Sequence, residues 1–453
     1  MNKQERTAVL ALTGVYVVRM LGLFMILPIM MTFGTELKGA TPELLGIALG
    51  IYGISQALLQ VPLGWLSDRI GRKKVIVSGL CLFALGSVVA AIAQDIQWII
   101  LGRCLQGAGA IASSTMALLT DLVREEHRTK AMAAVGISIG LSFTVAMMLG
   151  PWLATWFGLQ GVFAATLLLA LVAIFLVIKV VPNPEYQGGP VVVDHFFKAA
   201  LRVSRNPSLL RLDAGVFILH MGMMSTFIIV PVMLEHAGLA AQSHGWLYMP
   251  VMILAFFLMV PFMIMAEKKN QMVRIFSLSI LLLFISEVSL LTPAGNHWLT
   301  IGALLVLYFI AFNFLEAAMP SLISRICAVE SKGTALGVFN TSQFLGAAIG
   351  GMLGGLVYSI WHKQGVIIMS SGMLVLWYVI SIGQEVPARL VSLTLDLSEW
   401  HEEYWTSLQA TLLALKGVET VSLEAKGRKV LVKFRQTEIS ENDIRQVLNR
   451  QAA

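Results

Sequence analysis

Long apolar stretches alternate with short, polar and mostly basic connections along the whole of the first 387 residues. An apolar run of about 18 residues or more can cross the bilayer core as a helix. Such runs recur at 8–33, 44–63, 75–93, 97–119, 132–154, 161–181, 209–234, 244–265, 272–292, 298–323, 335–358 and 366–386, which predicts twelve spans. The N-terminus and alternate connections carry Lys3/Arg6, Arg69/Arg72/Lys73/Lys74, Arg124/Arg128/Lys130, Lys198/Arg202/Arg205, Lys268/Lys269/Arg274 and Arg325/Lys332, while the intervening ones hold little beyond Lys38 and Lys363. Basic residues gather on the cytoplasmic side, so both termini are expected there. The longest connection, 182–208, opens on a Pro/Gly turn region. It continues with Phe196, Phe197, Ala200 and Leu201 on one helical face beside Lys198, Arg202 and Arg205, the pattern of a helix lying in the membrane interface. It divides the spans into a bundle at 1–181 and another at 209–387.

After Pro387 the texture changes. Val391, Leu393, Leu395 and Leu397 alternate with polar residues at the period of a strand. Trp405, Leu408, Leu412 and Leu415 follow at helical spacing, with Gly417 as a stop. Val421–Ala425 and Val430–Phe434 flank Lys426-Gly427-Arg428 as a hairpin, and Ser440 with Asp443 caps a last helix presenting Ile444, Val447 and Leu448. Residues 388–453 thus predict a small α+β domain of order β-α-β-β-α, ferredoxin-like in plan. Its modest core leaves it open to docking or self-association. It is similar to heavy-metal-associated domains but lacks their Cys-x-x-Cys loop; the comparable stretch is Ser398–Glu403, where His401 sits among carboxylates at a solvated helix start.

Composition agrees with a lipid-embedded chain: 57% of the 453 residues are hydrophobic and 13% charged, against about 45–50% and about 25% in soluble domains. The net charge of +6 lies in the short connections, so it reports topology and not a nucleic-acid partner. Cys81, Cys104 and Cys327 lie in or beside apolar segments, which argues against a disulfide scaffold or a thiolate metal site. The N-terminal apolar run is too long for a signal peptide and reads as the first span. No phosphate-cradling glycine loop, metal-ligand cluster or nucleophile elbow is found, so neither an enzyme nor an ATP-driven pump is expected.

Between the second and third spans stands Gly64-Trp-Leu-Ser-Asp68-Arg69-Ile-Gly71-Arg72-Lys73-Lys74. Gly64 lets another helix approach closely, Gly71 permits a tight turn, and Asp68 can accept bonds from a helix N-terminus. This stretch resembles the signature loop of the major facilitator superfamily, with Ser67 in place of the usual Ala. The resemblance covers about 1–387 and implies an all-α, six-plus-six polytopic fold. Sliding 118–151 onto 322–355 pairs Glu126 with Glu330, Arg128 with Lys332, Ala131 with Ala335, Ser138 with Ser342 and Gly150 with Gly354, as parallel repeats would. Leu101-Gly-Arg103-Cys-Leu-Gln106-Gly107 resembles the family's second motif, and Gly140 with Gly150-Pro151 its antiporter packing motif, although Ala154-Thr155 replaces the trailing glycines.

The resemblance implies a secondary transporter without cofactor, driven by a proton gradient and exporting small amphipathic or drug-like molecules. A metabolite or sugar facilitator and a non-transporting sensor are the alternatives. Ions within spans need a reason, because each costs about 2.5–3.5 kcal/mol at the bilayer centre. Arg103 and Arg19 are candidate cavity cations, or packing groups bonded to carbonyls or to partners elsewhere. Glu316 is a candidate proton carrier or a protonated structural acid; His220 and Glu287 read more readily as structural. Antiporters of this type carry an acid one turn before a first-span proline, but here Phe24 precedes Pro28. Asp68, Arg72, Asp121 and Arg128, with Arg69 and Lys73 beside them, are expected to form an ionic switch facing the start of helix eleven near Gly333.

Overall fold

The computed structural model describes residues 1–183, 203, 205–268, 271–327, 332–384, 390–396, 405–424, 429–435 and 438–452. It divides into two units, Met1–Glu385 and Val386–Ala453. The expected interfacial helix, the Ser398–Glu403 loop and the Lys426-Gly427-Arg428 turn lie outside the described residues.

The larger unit is entirely helical: α1 (Lys3–Phe24), α2 (Met30–Phe33), α3 (Pro42–Ile70), α4 (Arg72–Ala91), α5 (Ile96–Ala108), α6 (Ala112–Leu122), α7 (Glu125–Phe175), α8 (Pro207–His236), α9 (His244–Lys268), α10 (Met272–Ser289), α11 (Trp298–Ile326) and α12 (Lys332–Ser381). Among the described residues nine helices are long and apolar enough to cross a membrane, where the sequence pattern predicts twelve separate spans. The difference has two physical sources. The predicted fourth span is split into α5 and α6, each too short alone. Two pairs of spans are each fused: α7 has 51 residues and α12 has 50.

Each fused helix folds back on itself. A Cβ on Gly22 would stand 2.7 Å from Thr166, and one on Gly150 would stand 3.3 Å from the Cα of Met25. Residues 150 and 166 therefore pack on one short stretch of chain, although a straight helix would hold them about 24 Å apart. The break is Gly158, at φ 66°. Likewise Gly350 lies against Met221 and Trp377 against Gly215, with the break at His362, at φ 52°.

Tight glycine packing joins the two halves of the larger unit at one face. A Cβ on Gly46 would meet the carbonyl of Gly351 at 2.5 Å, and one on Gly53 that of Phe344 at 2.6 Å. Gly50 faces Ala348 and Met352. This is the end of α3 remote from the signature loop. Toward the loop, the Cβ positions of Gly136, Gly140, Gly333 and Gly337 have no atom within 4 Å among the described residues. The glycine seam closes the far face.

The smaller unit holds β1 (Leu390–Asp396), α13 (Trp405–Ala414), β2 (Val418–Glu424), β3 (Lys429–Arg435) and α14 (Glu441–Ala452). The antiparallel sheet has the order β1-β3-β2, with Val432 opposite Leu393 on one side and Val421 on the other. Leu408, Leu412, Val430, Val432 and Ile444 are fully buried against it. Gly417 takes φ 96°, and a Cβ there would strike Glu438 at 2.8 Å. Ser440 and Asp443 form a reciprocal cap: each backbone N–H donates to the other's side chain, at 3.0 and 3.3 Å. The Ser440 hydroxyl, which donates to Asp443 Oδ2 at 2.7 Å, and then the Ser440 N–H hold the Asp443 carboxyl below its usual range. Its contribution is therefore present at neutral pH and is lost as pH falls through that lowered value. Ser440→Ala is expected to destabilise the start of α14 by about 1 kcal/mol. Faster amide exchange across residues 443–448 in the full chain would show it, and unchanged exchange would refute it.

Candidate functional site

The first candidate region is the signature loop. Gly71, at φ 103°, lets α3 turn directly into α4. That turn brings Arg72 back onto Asp68, Nη1 to Oδ1 at 2.6 Å, and onto Asp121 at the end of α6, Nε to Oδ2 at 2.5 Å. Arg72 Nη1 also donates to Ser67 Oγ at 3.3 Å, and Ser67 Oγ donates to the Gly64 carbonyl at 2.6 Å. A Cβ on Gly64 would stand 3.0 Å from Ser113 Oγ, so the glycine admits α6. Lys73 donates to Val181 O and Asn183 Oδ1, and the Arg69 guanidinium lies 4.0 Å over Trp65.

The predicted four-member network thus differs at one member. Arg128 Nε turns to the carbonyls of Thr120 and Val123, at 3.2 and 3.4 Å, where the orphan acceptors ending α6 outbid Asp121, already taken by Arg72. All these contacts lie within the first half of the chain. Gly333 makes no contact at its Cβ position, and residues 328–331, which precede α12, lie outside the described residues.

An aromatic cluster, here called the plug, joins the two halves of the larger unit. Phe143 of α7 stands between Phe24 of α1 (4.8 Å between centroids) and Phe309 and Phe312 of α11 (5.6 and 6.4 Å). His220 of α8 lies 5.6 Å from Phe312. Beside the plug, Gln343 Nε2 donates to Glu316 Oε1 at 2.9 Å and to His220 Nε2 at 2.8 Å. His220 Nδ1 is 3.1 Å from the Val216 carbonyl, which can only accept, so Nδ1 carries the ring proton and Nε2 is bare. Glu316 Oε2 is 3.7 Å from that bare nitrogen and has no hydrogen-bond partner.

The two candidate arginines differ. Arg103 is fully buried in a polar cluster: Nε donates to Ala48 O, Nη1 to Gln106 Oε1, and the Tyr52 ring lies 4.7 Å away. Gln106 continues the chain to Ser87 at 2.8 Å. These bonds tie together α3, α4 and α5, and Arg103 Nη2 has no hydrogen-bond partner among the described residues. Arg19, 2% exposed, donates through Nη2 to Gln56 Oε1 at 2.6 Å, and its Nε and Nη1 have no partner among the described residues. Gly150 admits the end of α1, Pro151 sits inside α7, and Gly140 faces open space.

Sequence reasoning missed Gln343 and Gln56. Their signal was present as amides within otherwise apolar spans, which must find partners when buried. Among the described residues no group of three His, Cys, Asp or Glu could hold a metal ion.

Known proteins bear on this geometry. A profile described as Major Facilitator Superfamily matches residues 12–286 and, in a second match, 212–400. The chain is 42% identical to the inner membrane transport protein YajR of Escherichia coli (strain K12), over 96% of this chain and 95% of that one. It is 23% identical to multidrug resistance protein 2 of Bacillus subtilis (strain 168), over 83% and 96%. A crystal structure of a D-xylose-proton symporter superposes with a TM-score of 0.70 at 15% identity, covering 85% of this chain and 98% of that one. The chain belongs to the Major Facilitator Superfamily, and is a multi-pass membrane transporter protein rather than an enzyme.

Proposed function

We propose that this protein is a secondary transporter that moves a small polar metabolite by alternating access. In this reading twelve spans stand six plus six, at 1–181 and 209–387, joined by the 182–208 connection, with both termini cytoplasmic in the inner membrane. Residues 388–453 form a ferredoxin-like appendage available for docking or self-association. The observation that carries the substrate class is the unfilled hydrogen-bonding capacity beside the plug, at Arg19 Nε and Nη1 and Glu316 Oε2. Such groups select a solute that satisfies them and reject an isostere that cannot. The fold it shares with a D-xylose-proton symporter is compatible with a polar cargo.

The energy source in this reading is a proton gradient acting at His220, Gln343 and Glu316. A proton arriving at His220 Nε2 makes that atom a donor, which displaces the Gln343 N–H and finds Glu316 Oε2 as its natural acceptor. Protonation would thus exchange contacts among α8, α11 and α12, a local event that biases a two-state packing. The second reading is proton-coupled export of amphipathic or drug-like compounds, supported by the aromatic surface of Phe24, Phe143, Phe309 and Phe312.

The deciding experiment places purified full-length protein in liposomes and records internal pH while sugars, nucleosides, amino acids or hydrophobic cations are added. A pH signal with polar solutes, abolished in Glu316→Gln, is expected. Flux of polar solutes with no proton signal would remove the coupling. A response to hydrophobic cations alone would replace the polar reading with drug export.

A further inference from the structure

The membrane interior distributes its charges unevenly. The first six predicted spans contain the buried Arg19 and Arg103 and no Asp or Glu, while the later spans contain Asp213, Glu287 and Glu316. Arg103 has two hydrogen bonds, to a carbonyl and an amide, and a ring beside it, with Nη2 alone unpartnered among the described residues. Arg19 has one bond, to the neutral Gln56, and among the described residues no carboxylate pairs with it. A buried guanidinium without a counter-charge carries a large desolvation cost, which an arriving anion would relieve.

Arg19 and Glu316 also stand at matching depth. Arg19 precedes Phe24 by five residues on α1, and Glu316 follows Phe312 by four on α11. At 1.5 Å per helical residue they lie about 7.5 and about 6 Å from the plug. Both lie on its signature-loop side. The start of α1 reaches that face through Glu5, bonded to Arg124 near Asp121. The end of α11 reaches it because α12 then runs from there to the closed glycine contacts. The Glu316 side chain is 33% exposed.

We propose that the transported solute is bipolar. In this proposal an anionic group of carboxylate size pairs with one of the unpartnered donors of Arg19, Nε or Nη1, and an ammonium or other donor at its opposite end pairs with Oε2 of Glu316, as in an amino-acid-like zwitterion. This rests on the polar-metabolite reading and narrows it. A bond from a charged guanidinium donor to a carboxylate is roughly twice as strong as one to a neutral amide or hydroxyl. Bridging the two halves through opposite charges would also give the solute a means of drawing them together.

The test measures thermal stabilisation of the purified full-length protein by matched probes: 6-aminohexanoate, its primary amide, its N-acetyl derivative and the corresponding hexanediol. The expected result is that the zwitterion stabilises at the lowest concentration and that capping either end weakens it by roughly tenfold or more. Arg19→Gln should make the acid and its amide equivalent, and Arg19→Lys should restore part of the difference. The wild-type comparison stands even where a variant does not fold. Stabilisation by the diol equal to that by the zwitterion would overturn the bipolar solute and leave the polar-metabolite reading in place. Stabilisation by tetraphenylphosphonium and by none of the four would overturn both.

Discussion

Gly50→Leu should abolish transport while the protein remains folded. The Cβ position of Gly50 is 2.9 Å from Met352 Cγ and presses on the Ala348 backbone, which has no rotamer by which to yield. A leucine there forces α3 and α12 apart, on either side of the seam that closes the far face. Overpacking costs about 1–3 kcal/mol, which at 1.4 kcal/mol per factor of ten depopulates the closed state by roughly fivefold to over a hundredfold. The cost falls on one conformation, because the contact exists only while that face is shut. Transport in liposomes measures the loss. A membrane-impermeant thiol reagent, reacting faster with a cysteine placed at Thr41 in the Gly50→Leu background, measures the open face. Wild-type flux in Gly50→Leu would show that the cycle does not need this seam.

Glu287→Ala should be the most destabilising single change in the second half of the membrane unit, by about 2–4 kcal/mol, through a cavity and two stranded hydroxyls. Glu287 is 1% exposed on α10, held by Thr226 of α8 and by Ser370 of α12, the latter at 2.9 Å. Thr226 Oγ1 has a single hydrogen but also lies 2.8 Å from the Gly222 carbonyl, which must receive a donor. If the threonine proton goes to that carbonyl, Glu287 supplies the hydrogen between itself and Thr226, and the acid is neutral. A neutral acid is imitated by an amide, so Glu287→Gln is expected to stay within about 1 kcal/mol of the parent. Thermal unfolding in detergent compares the variants. Equal damage from glutamine and alanine would show that the carboxyl is ionised.

The helical character, the positions of most spans and the signature-loop chemistry were legible in the sequence. Runs of apolar residues have few alternatives in lipid, and Gly71 with Asp68 and Arg72 act over one turn of chain. What distance made illegible was the choice among partners. Arg128 had two acceptors within reach and took carbonyls, because Arg72 already occupied Asp121. The partners of Arg103 were equally hidden: Ala48 and Tyr52 come from α3, some fifty residues away, and only Gln106 is local. Gln343 reaches its two partners across 123 and 27 residues of sequence, and no local pattern marks it. The seam of Gly46, Gly50 and Gly53 reads locally as weak helix, and its purpose emerges only opposite Gly351 and Gly355.

The sharp reversals at Gly158 and His362 also bear on how the chain is made. Neither leaves a polar tip long enough to wait in water while the next segment is synthesised. The arms on each side therefore enter lipid together, as one helical hairpin, at two points in biogenesis. At Gly158 the backbone reaches its positive φ freely, while at His362 a residue with a Cβ makes the turn, at about 1–3 kcal/mol. Lengthening either tip with a polar insert would split one insertion event into two and give a stalled chain an odd number of crossings.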